Sequence, residues 1–206
     1  MIDKYFFKNI IVKKNDGHDM FKDSIKRLTI TYFGVGFSRI CPGTLASILT
    51  LPLWFIMVYI IEKLNLKMYI VMPLLIGFLF YIGYRFTEQY LEETKKEDPS
   101  EVVIDEVVGQ LLAFVISFSF MFFLKNKTEL MILITNYGIS TYIYFLVLPI
   151  VLFRIYDIKK PWIIGKIDSQ MKNAMGVMLD DVVGGVFAGL TNSVLMLIFL
   201  QIIHLN

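Results

Sequence analysis

The stretch DPSEVVIDEVVGQLLAFVISFSFMFFL, residues 98–124, runs directly from a cluster of carboxylates into an uncharged apolar segment. A membrane span needs about 20 apolar residues, with a working range of roughly 17–25, so the segment reads as a transmembrane helix with acids at its mouth. A carboxylate at the bilayer centre costs roughly 3 kcal/mol on insertion scales and less near the interface. Acids held at that boundary therefore face a cavity, a partner or a metal.

The same juxtaposition recurs along the chain. GVGFSRICPGT at 34–44, FRIYDIKKPW at 153–162 and MLDDVVGG at 178–185 each adjoin an apolar stretch. The apolar stretches fall near 46–61, 68–84, 107–124, 131–153 and 182–203, with Pro52 and Pro73 interrupting the first two. Of the 206 residues, 56% are hydrophobic and 18% charged, and the mean hydropathy is +0.64. That is too apolar for an ordinary soluble domain and long enough for one small membrane bundle. The fold class expected is all-α, a multi-pass membrane helical bundle with motif-bearing loops and helix ends on the cytoplasmic face. Residues 29–206 form its domain, and residues 1–28 form a retained, basic, partly flexible extension without the apolar core of a signal peptide.

If all five stretches cross the membrane, only Lys63, Lys67, Lys125 and Lys127 of the 20 Lys and Arg lie opposite the N-terminus. The positive-inside rule makes the crowded side cytoplasmic, in a bacterial-type cell (inner) membrane. All four polar motifs land on that side, which points to one site at the membrane surface. The net charge of +2 does not suggest nucleic acid, and none is expected as a partner; membrane lipids are. Cys41 is the single cysteine, so no intramolecular disulfide can form.

Asp105 and Glu106 begin the third stretch and Asp180 and Asp181 the fifth, where helix dipoles favour anions. Gly109 lies one turn beyond Asp105, and Gly185 and Gly189 follow Asp181 as Gly-x-x-x-Gly. Small residues let membrane helices approach closely, so these glycines can draw the two acidic pairs together. Capping accounts for one carboxylate per helix but needs no second acid beside it. Clustered oxygen donors point to a hard cation, and His18 and His204 lie outside the motifs; magnesium suits the remaining chemistry.

Arg154, Asp157 and Lys160 follow at intervals of three, near one helical face, before Pro161 stops the helix. An arginine grips phosphate with two parallel hydrogen bonds, and a lysine neutralises it as a point charge. Gly34 to Ser38 and Pro42-Gly43-Thr44 can fold so that backbone amides and the Ser38 and Thr44 hydroxyls cradle an anion; a plain turn entering the first helix would look the same.

Together the motifs resemble the phosphatidylglycerophosphatase A family, over roughly residues 28–206. The matching positions are Gly34, Gly36, Ser38, Pro42, Gly43, Thr44 and Ser47; Asp98, Pro99, Asp105, Glu106 and Gly109; Arg154, Asp157, Lys160, Pro161 and Trp162; and Gly176, Met178, Asp180, Asp181 and Gly185. The resemblance implies a helical, membrane-bound, magnesium-dependent enzyme that removes the terminal phosphate of phosphatidylglycerophosphate to give phosphatidylglycerol. Arg39 stands where the family usually has proline, Ala46 where it has glycine, Ile163 where it has a second proline and Gly184 where it has alanine. None of these departures removes an acid, and Arg39 adds a cation beside the glycine-rich loop.

On this reading Asp105, Glu106, Asp180 and Asp181 hold magnesium, as one ion or two, which polarises the phosphomonoester and orients a water for in-line attack. A carboxylate nucleophile forming an acyl phosphate is the alternative that the sequence leaves open. Arg154 and Lys160 stabilise the equatorial oxygens, and Asp157 either joins the metal shell or fixes Arg154. A cysteine phosphatase needs arginine six positions after its cysteine, where this chain has Ser47. Two rivals stand beside this reading. A magnesium-dependent phosphatase acting on phosphatidate or a polyprenyl phosphate would share every catalytic residue. A cation transporter would want acids at mid-membrane or on both sides, and only Glu62 and Glu129 lie opposite.

Overall fold

The computed structural model describes residues 17–123 and 146–204. These residues form seven helices and one 3-10 turn, with no strand among them. The helices are α1 (Gly17–Ile30), α2 (Pro42–Lys63), α3 (Met68–Thr94), α4 (Ile104–Phe123), α5 (Leu148–Lys159), α6 (Ile163–Gln170) and α7 (Ala174–His204); the 3-10 turn spans Val35–Phe37. The all-helical expectation holds. Three of the described helices are long and apolar enough to cross a membrane: α2, α3 and α7 as far as Phe199. Residues 131–145 of the fourth apolar stretch lie outside the described residues, and its end enters α5.

Pro52 and Pro73 sit inside α2 and α3 without ending either helix. In α2 the hydroxyls of Ser47 and Thr50 donate to the carbonyls of Gly43 and Ala46 one turn back, so both buried hydroxyls are satisfied within the helix. Residues 17–28, assigned from sequence to the extension, supply most of α1. This helix packs on α3, where the buried Lys26 ammonium donates to Asp23 (3.2 Å) and Glu93 (2.6 Å). Its last residue, Ile30, is fully buried and accepts a backbone hydrogen bond from Val103 at the entry to α4.

Helix α4 occupies the middle of the bundle, packing against α2, α3, α5 and α7. Its Val107, Val108, Leu111 and Phe114 are buried, and Trp54 of α2 packs on Phe114 and stacks on Phe118 at 5.5 and 5.3 Å between ring centroids. The outer faces of α2 and α3 are apolar yet exposed, including Phe55, Ile56, Tyr59, Leu74, Phe78 and Tyr81. A soluble monomer rarely exposes so continuous an apolar surface, whereas a bilayer covers it.

Helices α4 and α7 pack closely because their small residues interlock. A Cβ on Gly185 would overlap the carbonyl oxygen of Gly109, and one on Gly109 would lie 2.5 Å from the carbonyl oxygen of Asp181. Farther along, a Cβ on Gly189 would lie 2.7 Å from that of Ile116. The fully buried Phe153 of α5 packs against Gly109 and closes this three-helix junction.

Candidate active site

The junction brings the starts of α2, α4 and α7 together with the end of α5 around a chamber of about 400 Å³. Asp105 and Glu106 stand in the first turn of α4, as their sequence position suggests. Asp180 and Asp181 do not begin their helix. Helix α7 starts at Ala174, capped by Asn173, whose Oδ1 accepts from the Gly176 amide at 2.9 Å, so the two aspartates lie nearly two turns inside. They reach the chamber through the Gly109–Gly185 crossing rather than through the helix dipole.

Carboxylate oxygens of Asp105, Glu106 and Asp181 all lie within 4.8 Å of one another. Asp105 and Asp181 are buried, at 8% and 3% exposure. Three like charges at that spacing repel strongly where water is scarce. Glu106 Oε2 is buried with no hydrogen-bond partner among the described residues. A cluster of hard oxygen donors with an unmatched carboxylate oxygen fits a small divalent cation such as magnesium.

The fourth expected metal ligand, Asp180, is engaged elsewhere. Lys160 Nζ donates to Asp180 Oδ2 at 2.7 Å and to Asp168 Oδ1 at 2.6 Å, bridging the end of α5 to α6 and α7. Burial alone would lower the Lys160 pKa, but its bonds to Asp168 and Asp180 outweigh that and hold it above the ordinary lysine value. The same hydrogen bond from Lys160 holds the Asp168 carboxyl below its usual value. Asp168 was not legible in the sequence, because the bend between α5 and α6 that folds it back onto Lys160 has no distinctive spacing.

Arg154 pairs with Asp157 one turn along α5, and its Nη1 lies 3.9 Å from Glu106 Oε1. Asp157 also sits beside Asp181, so it links the guanidinium to the carboxylate cluster. Arg154 and Glu106 fill the space over Gly43, where an added Cβ would overlap Glu106 Oε1 and lie 3.0 Å from Arg154 Nη1. Gly43 thus leaves room for the ends of these two side chains, which would have to shift to admit a Cβ.

The glycine-rich stretch divides in two. The amides of Val35, Gly36, Phe37 and Ser38 donate to carbonyls within the 31–35 turn, so they are not free to cradle an anion. Ser38 Oγ bonds to Ile40 and does not line the chamber. Gly36 is there for packing, since a Cβ would overlap the Glu101 carbonyl. Pro42, Gly43 and Thr44, by contrast, line the chamber as the first turn of α2, the part of a helix with open backbone donors. Arg39 is exposed and is not among the lining residues. Glu97, Asp98 and Lys172 line the outer rim.

The sequence profile for phosphatidylglycerophosphatase A matches residues 28–196. The chain belongs to the phosphatidylglycerophosphatase A family. Phosphatidylglycerophosphatase A of Escherichia coli K12 is 30% identical over 156 residues, 76% of this chain and 74% of that protein. A Bacteroides thetaiotaomicron protein provisionally named a phosphatidylinositol-3-phosphatase is 30% identical over 158 residues, 77% of this chain and 85% of that protein. Phosphatidylglycerophosphatase A of Haemophilus influenzae is 26% identical over 158 residues, 76% and 79% of the two chains. No solved structure is a significant match. As a member of this family the chain is a phosphatase.

Proposed function

We propose that the chain hydrolyses the terminal phosphomonoester of phosphatidylglycerophosphate to phosphatidylglycerol and inorganic phosphate, with magnesium, at the cytoplasmic face of a bacterial-type inner membrane. The observation that carries this reading is the convergence of Asp105, Glu106 and Asp181 in one chamber beside Arg154. The curated relatives from E. coli and H. influenzae support the substrate, and the loop-charge bias supports the orientation.

Asp105, Glu106 and Asp181 would hold the cation, which supplies Lewis-acid polarisation of the phosphoryl oxygens and a more acidic water. Arg154 presents two guanidinium donors to the equatorial oxygens, and its pairing with Asp157 fixes the plane in which it does so. The open amides at the start of α2 face the same phosphate. Lys160 is held between Asp168 and Asp180, so it acts as a fixed positive charge at the chamber wall. In the reaction the bond between phosphorus and the glycerol oxygen breaks, the attacking water's oxygen passes into phosphate and the glycerol alkoxide takes up a proton. Fixed charges that need no rearrangement as charge develops are the main catalytic asset of such a site.

The substrate is tested by offering purified protein phosphatidylglycerophosphate, phosphatidate and phosphatidylinositol 3-phosphate in the same vesicles and measuring phosphate release. The highest kcat/KM should fall on phosphatidylglycerophosphate. A preference for phosphatidylinositol 3-phosphate would move this chain toward the Bacteroides relative's printed activity.

A further inference from the structure

The exposed residues that line the chamber are of two opposite characters. The chamber's outer rim carries the exposed charged residues Glu97, Asp98 and Lys172. Its other edge is the seam where α2 and α5 pack together, and there the lining residues Cys41 and Ile158 are exposed and apolar. Ile158, in the last turn of α5, is 66% exposed although it also lines the chamber.

Both helices continue this apolar edge away from the chamber. On α5, Ile158, Ile155 and Val151 follow one another at spacings of three and four, on one helical face, and all are exposed. On α2, Leu45, Ile48 and Leu49 are exposed in the same way, beginning beside the lining residue Thr44. Helix α2 begins where α5 ends and the two helices touch, so both sets of exposed apolar residues start at the chamber end.

We infer that the acyl chains of the substrate lie in this α2–α5 seam, with Ile158 and Cys41 as its sill, while phosphate leaves by the charged rim. The inference rests on the lipid phosphatase reading. A chamber of about 400 Å³ takes a phosphorylated glycerol headgroup but not two long acyl chains as well. The chains must therefore stay outside, and leaving them in lipid avoids exposing their methylenes to water. The charged rim offers them no apolar contact. The seam offers one at Ile158 and Cys41, which line the chamber, and α5 extends it through Ile155 and Val151.

The test compares dioleoyl with water-soluble dibutyroyl phosphatidylglycerophosphate in wild type, Ile158→Asp and Ile158→Leu. A carboxylate at the sill should lower the dioleoyl-to-dibutyroyl ratio of kcat/KM roughly tenfold or more, whereas leucine should leave the ratio near that of wild type. An unchanged ratio in Ile158→Asp, whether both substrates lose activity equally or neither does, overturns the seam. Should Ile158→Asp fail to fold, the wild-type protein carries the same test through Cys41. A bulky maleimide on that thiol should lower the ratio by a similar factor, and an equal loss on both substrates contradicts the proposal. Wild-type protein inactive on both chain lengths would instead overturn the phosphatase reading itself.

Discussion

Gly185 lies so close to Gly109 that a single added methyl would overlap the facing carbonyl oxygen. This contact fixes the spacing of α4 and α7, and with it the distance between Asp181 and the Asp105–Glu106 pair. Substituting Gly185→Ala should force the helices apart, costing about 1–3 kcal/mol as overpacking does, and should cut turnover more than it cuts expression. Gly77→Ala is the control, since nothing lies within 4 Å of a Cβ there. Thermal unfolding in detergent with parallel activity assays should show a lower Tm and loss of activity only in Gly185→Ala. An unaffected Gly185→Ala would mean that the crossing does not set the site.

The three clustered carboxylates and Asp180 should behave differently. Asp105→Asn, Glu106→Gln and Asp181→Asn should each lower turnover about 100-fold or more while the protein still folds, because a carboxamide offers a hard cation only neutral oxygen. Asp180→Asn removes a partner of Lys160 instead, and its loss should be smaller and shared with Lys160→Ala. A double-mutant cycle checks this: the two losses should be far from additive.

The Lys160 bridge makes a statement about pH. Asp168 has a depressed pKa, so its contribution to stability is present above its ordinary value of 3.8 and is lost as pH falls through the lower folded value. Lys160 has a raised pKa, so its contribution is present below 10.5 and is lost as pH rises through the higher folded value. Between about pH 5 and 9 both groups are charged in the folded and unfolded chain. The Tm difference between wild type and Asp168→Asn should therefore stay constant over that window and shrink only in stronger acid or stronger base. A difference that vanished near neutrality would place another titrating group in the bridge.

Much of this arrangement was legible before any coordinates. Apolar length located α2, α3 and α7, and the Gly109 and Gly185 spacing anticipated the helix crossing that gathers the acids. What sequence could not resolve was side-chain partnership. Asp180 and Asp181 are adjacent letters, yet the helical rotation of about 100° between neighbours sends one to Lys160 and the other to the carboxylate cluster. The Gly34–Ser38 loop looked like an anion cradle because glycine permits both a cradle and a tight turn, and its amides are in fact spent on the turn. Arg39, the cation added beside that loop, stands apart from the chamber lining, so Arg39→Ala should change KM for phosphatidylglycerophosphate and phosphatidate alike.

Topology can be read with cysteine labelling in a Cys41→Ala background. Ser100, which lines the chamber, and Asn173, at the start of α7, are both exposed at the site end; Asn65 is exposed in the turn between α2 and α3. A membrane-impermeant thiol reagent added to intact cells should spare cysteine at Ser100 and Asn173 and modify cysteine at Asn65. Labelling of all three from outside would contradict a cytoplasmic site.

The central claim is that Asp105, Glu106 and Asp181 hold a divalent cation that the phosphatase needs. Its most direct test is phosphate release from phosphatidylglycerophosphate by purified wild type and Asp181→Asn, each assayed after chelation and after magnesium is restored. Wild type should lose activity in chelator and regain it with magnesium, whereas Asp181→Asn should stay about 100-fold down in either condition. Full wild-type activity in chelator, or full activity of Asp181→Asn, would contradict the account.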